Sequence, residues 1–313
     1  MYKRILLVTG GLGFIGKHFV ARSLEFGDYV INVDSVNYAA DRVVLGEFNE
    51  RPNYNHIRVD IAELEYLPEC DFIVNFAAES HVDNAITSSA KFCHTNILGA
   101  HRLLDLAKQK QVCDRPRFVQ ISTDEVYGDI AKGIHKEDDI LKPSNPYSAT
   151  KASADMLLQS YARTYGLTYN IIRPANNYGS HQYPEKLIPK TCNRLKRGLP
   201  AILHGDGSYV RSWLHVEDTV NAICTVLGKG EPNTIYNVSG PLELQNKEVV
   251  LKIARLLQIP KDKAWVATDD RYGQDVRYGM DDSRIVALGW QPTRDFDAEL
   301  ESIVNTESFR RFL

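Results

Sequence analysis

Tyr147 and Lys151 stand four residues apart in the segment Tyr147-Ser148-Ala149-Thr150-Lys151. On a helix that spacing puts both side chains on one face. An ammonium beside a phenol favours the phenolate and lowers the tyrosine pKa, which makes the tyrosine a usable base near neutral pH. Upstream, Ser122-Thr123-Asp124-Glu125-Val126-Tyr127-Gly128 places two adjacent carboxyl groups at the end of an apolar stretch. An enzyme that only moves a hydride does not need them, whereas one that also removes water does. Neighbouring buried carboxyls tend to split into one protonated and one ionised group, as elimination requires. Each feature has an ordinary reading as well. A Tyr and a Lys at this spacing are commonly a helix surface pair, and an Asp-Glu step after a strand is commonly a solvated turn. Their occurrence together, in this order and behind a glycine-rich loop, favours chemistry.

That loop is Thr9-Gly10-Gly11-Leu12-Gly13-Phe14-Ile15-Gly16. It follows an apolar strand and opens an amphipathic helix, the context that gives the glycine pattern meaning. Gly10, Gly13 and Gly16 let the backbone turn tightly, approach a pyrophosphate and pack helix on strand. The helix N-terminus then faces the phosphates. The second strand ends at Asp34. A carboxylate there suits ribose hydroxyls and repels a 2'-phosphate, so NAD is expected over NADP. Asp60-Ile61 is a candidate adenine contact or a helix N-cap. Ala77, Ala78 and Ser80 offer small side chains where a dinucleotide must come close.

The elements that must carry these residues alternate between apolar strands and amphipathic helices. Strands are expected at 5–8, 29–33, 56–59, 72–76, 118–121 and 169–172, and helices at 14–26, within 89–110, and at 147–165. Strands spaced by helices imply right-handed crossovers and a parallel sheet covered on both faces. The expectation is an α/β fold, a Rossmann-type doubly wound parallel sheet with a smaller C-terminal substrate-binding lobe. Residues 1–175 plus 212–238 are assigned to the NAD-binding domain, and 176–211 plus 239–313 to the second lobe. The second half of the chain carries turn-rich pieces and short helices at 216–227 and 247–257. The helices within 89–110 and at 147–165 have a second apolar stripe, from which a homodimer with a four-helix interface is expected.

Bulk properties narrow the partners. The chain has 313 residues, of which 43% are hydrophobic and 25% charged, the balance of an ordinary globular protein. Lys plus Arg is 37 and Asp plus Glu is 40, a net charge of -3, which gives no electrostatic reason for nucleic acid or a membrane surface. The apolar run at the start is too short for a signal peptide, and turn chemistry follows it at once. Five scattered cysteines form no CxxC pair, and there is no HExxH. No metal site or disulfide framework is expected, and a reducing cytoplasm is the expected location.

The glycine loop, Asn75-Phe76-Ala77-Ala78-Glu79-Ser80-His81-Val82-Asp83, the Thr-Asp-Glu segment and the Tyr147/Lys151 pair together resemble the extended short-chain dehydrogenases. Within them the chain is similar to the nucleotide-sugar 4,6-dehydratases, and among these to the dTDP-glucose 4,6-dehydratases most. The resemblance runs on through Arg173-Pro174-Ala175-Asn176-Asn177-Tyr178-Gly179 and Pro184-Glu185-Lys186-Leu187-Ile188-Pro189 to Leu288-Gly289-Trp290-Gln291-Pro292. The Asp-Glu pair is its specific element, since the related epimerases and decarboxylases usually lack it.

The resemblance implies a reaction in three stages. Tyr147 removes the C4 hydroxyl proton while NAD takes the C4 hydride, with Thr123 hydrogen-bonded at that hydroxyl and Lys151 on the nicotinamide ribose. Glu125 then takes the C5 proton, and Asp124 protonates the departing C6 hydroxyl. Hydride returns to C6 and a proton to C5, leaving a 4-keto-6-deoxy sugar. The implied cofactor contacts add Phe14, Ile15, Asn37 and Thr95 to the residues above. The implied substrate contacts are His81, Thr123, Asn176, Asn177, Glu185, Lys186, Leu187, His204, Arg211, Asn246, Arg271 and Gln274. Arg211 and Arg271 suit a diphosphate, because a guanidinium fork matches phosphate oxygens.

Ile202-Leu203-His204 and Gln274 depart from the thymidine-specific pattern, which has Pro-Ile-Tyr and a His at these places. dTDP-glucose is favoured, and UDP, GDP and CDP sugars stay open. An epimerase of the same superfamily and a non-catalytic nucleotide-binding protein are the competing readings.

Overall fold

The computed structural model describes residues 2–308 and 310. Its central element is a seven-stranded parallel sheet in the order β10-β6-β5-β4-β1-β2-β3. The strands are β1 (Ile5–Thr9), β2 (Tyr29–Val33), β3 (Tyr54–Ile57), β4 (Phe72–Asn75), β5 (Arg117–Ile121), β6 (Tyr169–Pro174) and, far along the chain, β10 (Thr234–Val238). β1, β2 and β4 are short and nearly continuous in apolar residues, as strands buried on both faces must be, whereas the edge strand β3 is only partly buried. Alternation divides their side chains between two cores. Leu6 and Val8 join the core under one face, and Leu7 joins the other.

Helices cover both faces. They are α1 (Phe14–Phe26), α2 (Arg42–Asn49), α3 (Val82–Thr87), α4 (Ala90–Phe92), α5 (Ala100–Gln109), α6 (Pro146–Tyr165) and, later in the chain, α8 (Val216–Lys229). α4 runs into α5 through a π-helical stretch, Cys93–Gly99. α6 starts on a capping box between Asn145 and Ser148 with Pro146 in its first turn, and stops at Gly166 with φ 74°.

The second lobe contains β7 (Asn176–Tyr178), α7 (Leu187–Lys196), β8 (Ala201–His204), β9 (Val210–His215), β11 (Leu242–Gln245), α9 (Asn246–Leu256), β12 (Trp265–Thr268) and α11 (Phe296–Thr306), while α10 (Ser283–Val286) packs on β10 of the large sheet. β11, β9 and β7 make a small mixed sheet, and β12 pairs with β8. A separate core of Trp213, Val249, Ile253, Phe296 and Leu300 holds this lobe.

The structure moves several expected boundaries. The third strand lies at Tyr54–Ile57 rather than 56–59. Residues 212–215 belong to β9 of the small sheet, so the return to the large sheet begins with α8. Met280, Ile285 and Trp290, expected in the second lobe, pack into a core of the large sheet. α2, α3, α10 and α11 are additions; the first three are too short to show clear periodicity, whereas α11 buries Phe296, Leu300, Ile303 and Val304 at helical spacing. The strand order reverses between β1 and β4, and in open α/β sheets ligands bind in the crevice outside the strand ends at such a point.

Candidate active site

A cavity of about 380 Å³ lies at that switch point. Its floor is the glycine loop. Gly10 adopts φ 69°, and a Cβ there would stand 2.7 Å from the Ala77 backbone. A Cβ on Gly16 would collide with the Gly10 carbonyl oxygen. α1 begins at Gly13 with no side-chain cap and no acidic residue in its first turn. Its free amide donors and dipole therefore face the cavity unopposed, which suits a pyrophosphate. Asp34 is buried, accepting from Leu12 N at 3.0 Å and Val36 N at 2.8 Å, and burial pushes its carboxyl pKa up. Phe14, Ile15, Asn37, Asp60, Ile61, Ala77, Ala78, Ser80 and Thr95 also line the cavity. Asp60 is an N-cap as well, accepting from Ala62 N at 2.9 Å. Thr95 reaches the wall from the π-helical stretch, where the next residue, Asn96, grips Glu79 N and O and Thr150 Oγ1 at 2.8–3.0 Å. The cradle that added methyl groups would fill, the uncapped helix end and the carboxylate at the second strand together fit a dinucleotide.

Thr123, Asp124, Glu125, Tyr147 and Lys151 close the far end of the cavity. β5 ends at Ile121, and a 3-10 turn, Asp124–Tyr127, carries the acid pair. Tyr147 and Lys151 come from one face of α6, both buried. Tyr147 packs against Val82, Ala85 and Phe92. Thr123 Oγ1 donates to Asp124 Oδ1 at 3.1 Å and accepts from Glu125 N at 3.3 Å. Asp124 Oδ2 is buried with no hydrogen-bond partner among the described residues. Burial, then the neighbouring Glu125 charge, pushes the Asp124 carboxyl pKa up to about 7. Asp124 is thus an acid able to hold its proton near neutral pH, with one oxygen unspent.

The expected electrostatics of the Tyr/Lys pair differ from those observed. Lys151 Nζ donates to the Ile121 carbonyl oxygen at 2.6 Å. Burial lowers its pKa to about 8, against the pull of Asp155. Tyr147 is pushed up rather than down, by burial first and by the charges of Glu125 and Asp124 next, with only a Thr123 hydrogen bond pulling the other way. Helical spacing reports which face a residue occupies, not how dry that face is. The positive nicotinamide of an oxidised dinucleotide would oppose this upward push.

Asn176, Asn177, Glu185 and Lys186 line the same cavity from the second lobe. Asn177 is partly spent, donating to Ala175 O at 2.9 Å and accepting from Thr219 Oγ1 at 2.6 Å. Glu185 and Lys186 precede α7, and Leu187, its first residue, packs against the core of the second lobe. His81, Leu187, His204, Arg211, Asn246, Arg271 and Gln274 stand outside the cavity lining. His81 caps α3 and feels the charges of Glu185 and Lys186. Arg271 Nη1 pairs with Asp83 Oδ1 at 3.2 Å, its Nε buried without a partner among the described residues. His204 also acts on Asp83. Arg211 stacks over Tyr278 and donates to Asp275 O at 3.0 Å, beside Gln274, whose amide donates to the same oxygen at 3.4 Å. The charge of Arg211 reaches Asp124. Asn246 opens α9, its N–H donating to Tyr209 O at 2.9 Å.

Several wall residues carry no sequence signal as such. Lys91 pairs with Glu79 at 2.9 Å, and His181, Gln182 and Tyr183 cross the cavity from the second lobe. Asn145, which lies outside the lining, does carry a signal, because Asn-Pro before an amphipathic run is a helix-start signal. It caps α6, and its amide donates to Glu125 Oε2 at 3.3 Å.

Comparison with known proteins agrees with this geometry. The family model described as GDP-mannose 4,6 dehydratase matches residues 7–303. A low-salt glycan biosynthesis protein, Agl12, of Haloferax volcanii is 44% identical, over 96% of this chain and 97% of that protein. A dTDP-glucose 4,6-dehydratase of Haemophilus influenzae is 40% identical over 96% of each. The crystal structure of DesIV, a dTDP-glucose 4,6-dehydratase from Streptomyces venezuelae with NAD bound, superposes with a TM-score of 0.92 at 39% identity over 98% of each chain. The chain belongs to the GDP-mannose 4,6 dehydratase family, among the nucleotide-sugar 4,6-dehydratases of the extended short-chain dehydrogenases.

Proposed function

We propose that the protein uses NAD to dehydrate a nucleoside-diphosphate hexose, dTDP-glucose above others, to the 4-keto-6-deoxy sugar. The observation that carries this reading is Asp124, a buried carboxyl with a pKa near 7 and an unpartnered oxygen, next to Glu125 and within the same cavity end as Tyr147. An epimerase has no use for a buried acid held protonated there. Bound NAD supplies a hydride acceptor that becomes a donor later in the same turnover. Gly10, Gly13, Gly16 and the α1 N-terminus would hold its pyrophosphate, and Asp34 its adenosine ribose.

The chain's own residues do the proton work. Tyr147 takes the C4 hydroxyl proton, with Thr123 hydrogen-bonded at that oxygen. Lys151, on the same face of α6, would hold the nicotinamide ribose. With C4 a ketone, C5–H is acidic, and Glu125 removes that proton. Asp124 gives its proton to the leaving C6 oxygen, so one water departs and a C5–C6 double bond forms. Hydride then adds at C6 and a proton at C5. Asn176, Asn177, Glu185, Lys186 and Leu187, together with His81, His204, Arg211, Asn246, Arg271 and Gln274, are assigned to the nucleotide and diphosphate.

Relatives named dTDP-glucose 4,6-dehydratase support thymidine as the base. We further assign a homodimer through the outer faces of α6 and of the helical run from α4 through the π-helical stretch to α5, where Met156 and Leu98 are each 55% exposed. Light scattering that finds only monomer at working concentration would overturn it. A reducing cytoplasm suits five free cysteines. No described helix is long and apolar enough to cross a membrane.

The test is incubation with dTDP-, UDP-, CDP- and GDP-glucose and with UDP- and GDP-N-acetylglucosamine, read by mass spectrometry. Loss of one water from the dTDP sugar is expected. An isomer of unchanged mass would move the enzyme to the epimerases.

A further inference from the structure

Lys17 is a charged residue on α1 with only 4% of its surface exposed. Its Nζ pairs with Asp41 Oδ2 at 2.9 Å and donates to the His181 carbonyl oxygen at 2.8 Å. Asp41 is 1% exposed, caps α2 by accepting from Val44 N, and donates its own N–H to Leu12 O in the glycine loop at 2.9 Å. A buried ammonium is costly unless its partners are well placed. These partners join three segments that sequence separates widely: the glycine-loop helix, the α2 start and the run 179–186.

That run is a strap across the cavity. His181, Gln182, Tyr183, Glu185 and Lys186 all line it, facing the glycine loop and the β2 and β4 ends. His181 has φ 61°, a conformation that a non-glycine residue keeps only where its surroundings hold it. Further ties include Gln182, whose buried amide donates to Asn177 O at 2.8 Å, and two contacts of Lys186 and Glu185. Lys186 Nζ donates to Ser80 O at 3.0 Å, and Tyr38 OH to Glu185 Oε2 at 3.4 Å with Tyr38 and Glu185 partly open to water. Lys17 ties the strap to the glycine-loop helix from a buried position.

We propose that Lys17 is a positioning residue that latches the 179–186 strap over the cofactor cavity, so that NAD stays bound from hydride removal to hydride return. The inference rests on the NAD reading above. It adds a reason for the tie: a reduced cofactor that escaped in mid-turnover would strand an oxidised sugar with no hydride to accept.

The test compares NAD release from wild type, Lys17→Met and the double variant Lys17→Met/Asp41→Asn. The single variant leaves the Asp41 carboxylate buried and unpaired and risks unfolding. The double variant removes both charges, and Asn can still cap α2. Release is followed as NAD lost to a dilute competing NAD-binding enzyme, with folding checked by circular dichroism. The latch predicts release about tenfold faster in the folded variant and turnover that comes to depend on added NAD. A folded variant that releases NAD at the wild-type rate would overturn the latch alone. Wild-type protein that neither contains nor takes up NAD would overturn the cofactor reading, and the latch with it.

Discussion

Asn145 and Glu125 are joined by a hydrogen bond, the amide Nδ2 donating to the carboxylate Oε2 at 3.3 Å. The same Asn145 side chain caps α6 through Ser148 N at 3.0 Å. One residue therefore fixes where the tyrosine helix starts and how the neighbouring carboxylate is turned.

Asn145→Ala removes both functions. The lost cap costs about 1 kcal/mol, seen as a lower melting temperature. Asn145→Ser separates the two, because a serine can cap while falling short of Glu125. It is expected to melt like wild type yet exchange the C5 proton about tenfold more slowly. Equal C5 exchange in Asn145→Ser and wild type would break the proposed link.

Asp124→Asn and Glu125→Gln should oxidise the sugar and then stall. Loss of a positioned acid or base costs about 10²–10⁴ in rate. The stalled enzyme holds reduced cofactor, visible by absorbance. Tyr147→Phe acts earlier and leaves the cofactor oxidised. Wild-type rates of water loss in Asp124→Asn would remove Asp124 as the acid.

The pH dependence follows from Asp124. Its folded pKa is raised from 3.8 to about 7. Between those values the folded state holds a proton that the unfolded state has lost, so stability falls as pH rises across the window. Above about 7 the deficit is constant, and below 3.8 it is absent. Asp124→Asn lacks this titration. Chemical denaturation should show wild type losing stability relative to the variant between pH 4 and pH 7, by on the order of a few kcal/mol. Elimination should slow above pH 7 for the same reason. A constant stability difference across the window would contradict a buried protonated Asp124.

Gly16→Ala tests the cradle. The added Cβ meets the Gly10 carbonyl oxygen, which is backbone and cannot swing aside. NAD affinity should fall by tenfold or more, measured by fluorescence titration, while Gly46→Ala in α2, which meets nothing within 4 Å, should not change it.

The sheet, the glycine loop and the segments that carry Asp124 and Tyr147 were legible because apolar period, glycine spacing and strand–helix alternation are local signals. Asp34, Asp124, Tyr147 and Lys151 all line the one cavity at the switch point. Other features depend on what meets across space. The upward push on Tyr147 comes from burial, which spacing does not encode. The π-helical stretch at Cys93–Gly99 reads as ordinary helix in sequence. The strap and Lys17 were invisible because Lys17 and His181 are 164 positions apart. β10 joins the large sheet after a long excursion through the second lobe, so its partner β6 cannot be read from neighbouring residues.

The most direct measurement uses dTDP-glucose deuterated at C4, in ordinary water, with mass spectrometry and NMR on the product. The account predicts loss of one water and deuterium carried to C6, because the hydride removed at C4 is returned there within one turnover. Deuterium found back at C4 with no water lost would contradict it.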